Sequence, residues 1–584
     1  MDRKGIVAIS LAIAVLLGWM YWNNQEMTKA AQQQAKVKAA AAEVAAQVAA
    51  AEPAAAAPAA VAPASTAPGE AAVEEKREAV MTSLVEYTFS NLGGGIATAL
   101  LKTHEAERGQ RMTLNEFGSI PIGAVTEAAG EGTRAPFAMK VEDGSVTFDR
   151  TDARQLRLTK KFTMPKATGP TEDFMVTLDV TFTNHGAQAV TLPGYFVHTG
   201  SAAPVHQKDM ASYTGFKFAG GKFIDATYFD SGWFHPARPI FTETKAGLAW
   251  AGVANQYFTT LVTPQEAKNE IGVPQTPRGA AAWARRFVIE DAAWKTTGRS
   301  SEGSTLTRYG VDGAVGMPAL TLEPGKSFTQ SFRIYTGPRE YDRLRRMGEG
   351  QADILDFGTF SIVSKTLLNS MNWLHGKLGS YALAIIVLTL CIKCLLWPMQ
   401  NKSTQSMKRM QLLGPKQTEI REKYKDDPTR MNTEVMKLYK DYGVNPMSGC
   451  LPMLIQMPIF FGFFGMLGKA VELRNSTFFW VHDLSLPDTI YHLPSVGWPV
   501  NVLPIVMAVT MLWQMSLSPK SGDPMQQRMM MFMPLIFIAF CYNYASALAL
   551  YWTVQNLFSV AQLYLTRNQA APTLLKVTPP PKRK

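Results

Sequence analysis

The sequence predicts an α-helical polytopic membrane protein of six transmembrane helices, with a soluble all-β sandwich inserted between the first helix and the second. Three observations predict it. Residues 378–565 hold several long apolar runs while residues 24–355 are polar, a division concealed by a hydrophobic content of 47% and a mean hydropathy of −0.04 over 584 residues. Much of the polar part alternates apolar with polar side chains, the period of strands that bury one face. Net positive charge is concentrated in four pieces of the chain, which sets an orientation across a bilayer.

Taken in order, the first apolar run, Gly5–Trp22, follows Arg3 and Lys4. It is long for a signal-peptide core, and Tyr21-Trp22-Asn23-Asn24 resembles an interfacial anchor more than a small-residue cleavage site, so residues 1–23 are read as an uncleaved anchor. Residues 24–80 are an Ala/Pro-rich linker with nothing to bury a core. Residues 81–340 carry the sandwich. Val176-Thr-Leu-Asp-Val-Thr-Phe-Thr183 alternates and ends at the turn Asn184-His-Gly186, and Phe328–Tyr335 repeats the theme after Glu323-Pro-Gly325. Asp143-Gly144 joins Met139–Val141 to Val146–Phe148 as a hairpin. The histidines here, including His198, His206 and His235, lack ligand spacing and read as packing or surface residues.

In residues 341–380, Phe360, Val363, Leu367, Leu368, Met371, Leu374 and Leu378 recur at threes and fours. Such an amphipathic helix lies flat on the outer membrane surface, with Trp373 at the interface, or packs on the sandwich. Five apolar runs follow: Tyr381–Pro398 as the second span (381–398), then Cys450–Gly468, Trp498–Met515, Met529–Tyr542 and Ser546–Leu565 as four more within 448–565. Residues 399–447 have two helical stretches, Lys408–Tyr424 and Thr429–Tyr442, broken by Lys425-Asp-Asp-Pro428, a charged helical hairpin. That segment has ten Lys/Arg against six Asp/Glu, and the tail 566–584 has five basic residues and no acid. With +1 each from residues 2–4 and 518–528, these pieces carry +11, the whole formal charge of the chain. By the positive-inside rule both termini and the hairpin are cytoplasmic, and the sandwich is outside.

Lys393 lies in the second span, where a charge at the centre costs about 2.5–3.5 kcal/mol on insertion scales and marks a functional candidate. Pro398, five residues on and about 7 Å away along a helix, leaves open the alternative that the amine snorkels to the interface. Thr389 is one turn earlier on the same face, Gln456 is buried in the third span, and Thr553, Asn556 and Ser559 recur at threes on the sixth. An ordinary interhelical hydrogen bond is the plain alternative for each. Cys391 and Cys394 form a CxxC inside a lipid-length helix, without a second pair or a neighbouring His, and read as structural. The sequence contains no HExxH, GxSxG or GxxxxGK[ST], so an enzymatic reading has no residues to stand on, and no cofactor is implied.

Two stretches, Asn445-Pro-Met-Ser-Gly-Cys-Leu-Pro-Met-Leu-Ile-Gln-Met-Pro-Ile-Phe460 and Asp523-Pro-Met-Gln-Gln-Arg-Met-Met-Met-Phe-Met-Pro534, resemble signature stretches of the YidC membrane-protein insertase family. The resemblance covers essentially the whole chain and its large outside domain is similar to the Gram-negative form. It implies a bacterial inner-membrane insertase and chaperone that performs no bond chemistry. Nascent membrane proteins would be inserted and folded through a hydrophilic groove open to the cytoplasm and to lipid, independently or with the Sec translocon. Lys393 takes the place of the family's usual arginine, with Thr389, Gln456, Thr553 and Asn556 as further groove residues. Met453, Met457, Phe461, Met531, Met533 and Phe537 are candidates for the flexible apolar surface that clients slide past, with lipid-facing packing an equal alternative for each. The hairpin and the basic tail ending Lys582-Arg-Lys584 suit a ribosome, and the tail suits an anionic lipid bilayer equally. Two departures matter: lysine for arginine requires a wet groove to stay charged, and Ala545-Ser-Ala547, in place of Pro-Ser-Gly, predicts a more helical turn. A secondary transporter is the alternative, which would bring repeated halves and paired broken helices, and no internal repeat is visible. A carbohydrate-binding module would rest on the sandwich alone.

Overall fold

The computed structural model describes residues 73–566 except 107–108, 166–168, 170–171, 207–208, 231–237, 270–277, 290–295, 298–304, 307–308, 446–450, 494–497 and 519–523. Side chains at 266–269, 296–297, 305–306, 451–453, 524–531 and 533 are also outside the description. The expected anchor, most of the linker and the basic tail therefore lie outside the described residues.

The alternating segments pair as their patterns require. Met175–Asn184 lies antiparallel to Ser327–Pro338, with Val176 opposite Ile334 and Leu178 opposite Phe332, all four buried. They are the middle of a nine-stranded sheet ordered Ile224–Asp225, Gly215–Phe218, Ala251–Ala254, Phe258–Asn269, Ser327–Pro338, Met175–Asn184, Leu156–Thr163, Ser145–Thr151, Ala138–Glu142. A five-stranded sheet, Ile240–Leu248, Gly279–Val288, Tyr309–Met317, Tyr195–Ala202 and Val125–Thr126, shares its core. At Gly313 in this second sheet a Cβ would overlap the Phe216 ring of the first, so the close approach of the layers requires glycine there. A four-stranded sheet within Arg77–Leu114 joins the core through Phe89, whose ring centroid is 5.3 Å from that of Phe162 and 6.1 Å from that of Phe148.

The helices are α1 (Tyr341–Arg346), α2 (Ser361–Leu378), α3 (Tyr381–Leu412), α4 (Gly414–Lys423), α5 (Pro428–Asp441), α6 (Leu451–Leu467), α7 (Val502–Leu517), α8 (Pro524–Cys541) and α9 (Ser546–Leu565). Among the described residues, α3 alone is both long and apolar enough to cross a membrane by composition; the apolar stretches Leu454–Leu467 and Val502–Leu517 are shorter. Gly379, at φ +68°, closes α2 in the left-handed conformation, and the Ser380 hydroxyl caps α3, so the chain turns sharply between them. The buried stripe of α2, Leu367, Leu368 and Met371, packs against α3 and α6 rather than on the sandwich, while Trp373 stays exposed. Ser364 Oγ donates to the Gly462 carbonyl of α6 at 3.0 Å, where a larger residue than glycine would strike Val363.

Two helices differ in extent from the apolar runs. The helix that carries the second span runs on past Pro398 to Leu412. Proline removes its own N–H bond and crowds the carbonyl four residues back, and the extension is held beyond it: Thr404 Oγ1 donates to the Gln400 carbonyl at 3.0 Å and Lys408 Nζ to the Thr566 carbonyl at 3.2 Å. Residues 498–501 do not open α7, since Pro499–Asn501 pairs with Thr489–His492 in a hairpin. Helix α9 spans the expected run, and of the turn Ala545-Ser-Ala547 only Ala545, at φ −48° and ψ 126°, is non-helical; the Leu486 and Leu484 carbonyls accept the Ser546 and Ala547 amides at 2.9 and 3.1 Å. The hairpin of α4 and α5 turns where expected, with Asp427 capping α5 through the Arg430 amide at 2.9 Å.

The sandwich sits directly on one end of the helices. Gln256 Nε2 donates to the Gly468 carbonyl at 2.7 Å, and the Tyr213 and Tyr544 hydroxyls lie 3.3 Å apart. Arg474 donates to the Glu105 carbonyl and places its guanidinium 4.7 Å from the Tyr257 ring centre. Asp356, at φ +46°, pairs with Lys217 at 3.0 Å and accepts Lys469 Nζ at its carbonyl. The buried apolar cluster runs unbroken from the sheets into α2, α3, α6 and α9.

Candidate functional site

Helix α9 supplies the frame of the site. Its buried residues include Tyr551, Gln555, Ser559 and Gln562, which with Thr566 fall within about 80° of one another at 100° per residue. This polar stripe faces α3 and α6. Ser559 Oγ accepts Lys393 Nζ at 3.0 Å and donates to the Gln555 carbonyl at 2.9 Å. Gln456 of α6 donates through Nε2 to the Tyr551 hydroxyl at 3.1 Å and to Gln555 Oε1 at 2.9 Å. Gln562 is buried with Nε2 unpartnered. Each interhelical bond of this kind is worth about 0.6–2 kcal/mol in lipid.

Lys393 is twelve residues into α3, about 18 Å from its sandwich-facing end and roughly midway through a 30 Å hydrocarbon layer. Beyond Pro398 the helix turns polar at Gln400, Asn401 and Lys402, so the snorkelling alternative stands beside the groove reading. The side chain is half-buried, and among the described residues no carboxylate pairs with it. Thr389, one turn earlier, is buried and returns its hydroxyl to the Ile385 carbonyl at 2.7 Å.

The trio on the last helix divides. Ser559 meets Lys393, whereas Asn556 turns to α7, donating to the Met507 carbonyl and to Thr510 Oγ1, each at 3.2 Å. Thr553 Oγ1 donates to its own helix at the Ala549 carbonyl, 2.7 Å away. A spacing of three drifts 60° per step, while the i, i+4 series Tyr551, Gln555, Ser559 holds one face; that series was the signal in the sequence for Gln555.

Of the apolar candidates, Met457 and Phe461 are each 40% exposed on α6. Phe461 stacks on Phe360 at 5.7 Å. Phe537 instead packs inward, 4.6 Å from Trp552 and 6.2 Å from Phe460. The exposed face of α8 is Phe532, Leu535, Ile536 and Phe540, none of them singled out by sequence. Met453, Met531 and Met533 lie outside the described side chains. Cys391 and Cys394 are free and exposed.

Comparison with known proteins gives two family models. One described as the YidC periplasmic domain matches residues 77–370, and one described as the 60Kd inner membrane protein matches residues 373–573. The membrane protein insertase YidC of Citrifermentans bemidjiense is 30% identical over 97% of this chain and 99% of its own length. That of Syntrophus aciditrophicus is 37% identical over 55% of this chain; there the alignment spans about half of the relative, 53%. Among solved structures, an active YidC insertase with its first transmembrane domain resolved aligns over 85% of this chain and 94% of its own, at 17% identity and a TM-score of 0.35.

Proposed function

Because the chain belongs to the YidC family of membrane protein insertases, we propose that the polar face shared by α3, α6 and α9 is where it receives the hydrophilic segment of a nascent membrane protein. The chain is an inner-membrane protein with a periplasmic β-rich domain and a helical C-terminal region. In the fuller arrangement that charge and hydropathy favour, six spans place both termini and the α4–α5 hairpin in the cytoplasm. The observation that carries the reading is the Lys393 amine, bonded to Ser559 Oγ and, among the described residues, paired with no carboxylate.

The physics is that of shortening a barrier. A polar segment crossing hydrocarbon loses its hydration, and each unsatisfied group costs several kcal/mol. A hydrated recess reaching Lys393 from the cytoplasm would leave only the remaining part of the bilayer to cross, and the ammonium would attract acidic residues on the way. Gln456, Gln555, Ser559 and Gln562 offer amide and hydroxyl groups that exchange hydrogen bonds with a passing backbone. Meanwhile the client's apolar segment would move along the exposed side chains of α6 and α8, Met457, Phe461, Phe532 and Ile536. No bond is made or broken, so the work is that of an insertase without enzymatic chemistry. The Sec translocon and the ribosome are proposed partners for larger clients, the ribosome through the hairpin and the basic tail.

A photoreactive residue at Gln456 or Thr389, carried during translation of a short two-span client, tests this directly. Crosslinks to the client's polar loop are expected. Crosslinks only to lipid, with normal insertion of the client after depletion of the protein, would overturn it.

A further inference from the structure

The segment between α6 and α7 ends in an exposed aromatic turn that the groove does not use. Phe478 and Val481 exchange both backbone hydrogen bonds at 2.8 Å, which leaves Phe479 and Trp480 as the two residues of a tight turn. Phe479 adopts φ +49°, at the position where such a turn ordinarily takes glycine, and its ring is 84% exposed. Among the described residues its ring meets only its chain neighbours, Phe478 edge-on at 4.5 Å and Trp480 at 6.3 Å, and otherwise faces solvent. Trp480, 40% exposed, is fixed: its Nε1 donates to Asp488 Oδ2 at 3.0 Å, and the same oxygen accepts the Leu503 amide at the start of α7 at 2.7 Å. The indole's polar group is thereby spent on the protein and the rest of the ring is left apolar. The adjoining hairpin exposes Ile490, Tyr491 and Trp498 by 53–59%.

We propose that the Phe479–Trp480 turn is a lipid anchor, seated in the interfacial layer of the outer leaflet and holding the periplasmic ends of α6 and α7 at a fixed depth. Lipid is the occupant for three reasons. The turn lies beside two apolar helices, following α6 after ten residues and hydrogen-bonded through Asp488 to the start of α7. Aromatic rings are the side chains that favour the boundary between hydrocarbon and water. Residues 475–501 contain no Lys or Arg, Asp488 is buried, and half-buried Asp483 accepts the Ser485 amide and hydroxyl, so the surface offers an acidic or basic partner little charge to pair with. The proposal rests on the outside placement of this segment.

The test is depth-dependent quenching on the full-length protein in liposomes. In a variant with Cys391, Cys394, Cys450 and Cys541 replaced by Ala, Phe479→Cys carries an environment-sensitive fluorophore, and lipids spin-labelled near the headgroup serve as quencher. The same label at Met210, 46% exposed on the sandwich, is the aqueous control. Quenching at least severalfold stronger at 479 than at 210 is expected, with shallow spin labels acting more strongly than deep ones. A label at 479 that iodide quenches and lipid does not would refute the anchor, as would one shielded from both by a second copy of the chain. Should Phe479→Cys fail to fold, Tyr491→Cys gives the same reading. Client insertion measured in the same liposomes separates this result from the groove: normal insertion with an unquenched label overturns the anchor alone.

Discussion

The Lys393 ammonium can donate three hydrogen bonds, and among the described residues its protein partner is one hydroxyl, Ser559 Oγ. A cation so sparsely satisfied is poised to bind something else. Replacing it with arginine keeps the charge and should be tolerated, whereas Lys393→Glu sets like charges against an acidic client. At 4 Å and an effective dielectric of 20 that is about 4 kcal/mol of repulsion where attraction stood. Insertion of a client with an acidic exported loop should slow by at least about tenfold, and a client with a neutral loop should be much less affected. Equal rates for both clients in the glutamate variant would return Lys393 to a structural role. Gln456 offers a milder perturbation, because Gln456→Leu leaves Gln555 Oε1 and the Tyr551 hydroxyl without this partner. The expected cost in stability is about 1 kcal/mol, with a larger loss in client crosslinking than in thermal midpoint.

At the scale of elements, α9 is asymmetric, with one polar face toward Lys393 and Gln456 and another toward α7. Asn556→Ala should therefore lower the thermal midpoint, by about 1 kcal/mol of helix packing, and leave insertion rates near normal; a selective loss of insertion would move Asn556 into the site. The strands were legible because alternation with one buried face has a single solution, as Val176 opposite Ile334 illustrates. The hairpin turn at Asp427-Pro428 was legible for the same local reason, a cap followed by a proline. The course of α3 through Pro398 was not, since one of the bonds that hold it, from Lys408 to the Thr566 carbonyl, reaches far away in sequence. The start of α9 at Ser546 was legible from its apolar run, but not its partners: carbonyls of the 484–486 loop, some sixty residues earlier, accept its first amides. Of the candidate site, the residue types could be read from sequence, but which face of α9 meets Lys393 depended on 40° per i, i+4 step against 60° per i, i+3 step.

On the scale of the whole molecule, sheets and helices share one apolar cluster, and the contact between them buries charge. Glu472, in the turn after α6, is the clearest case. Burial pushes its carboxyl up to about 7, the nearby carboxylates Glu340 and Asp342 add to that, and Oε2 has no partner. The unfolded chain ionises this group near its ordinary 4.5, so below that pH both states hold the proton and nothing is lost. Between about 4.5 and 7 the unfolded chain releases a proton that the folded one keeps, and stability falls as pH rises. The full cost, up to about 3 kcal/mol, is reached above 7. Glu472→Gln removes the titration and keeps the shape, so the variant should unfold at a higher temperature than the parent at pH 8 and lose that advantage at pH 4.5. Thermal unfolding of both proteins in detergent across this range checks it, and parallel curves would mean that water or a cation already satisfies the carboxylate. The same experiment bears on how the two halves are joined. If Glu472 titrates with the contact, limited proteolysis at pH 8 should release the sandwich faster from the parent than from the glutamine variant, because Arg474, two residues on, holds the sandwich at the Glu105 carbonyl.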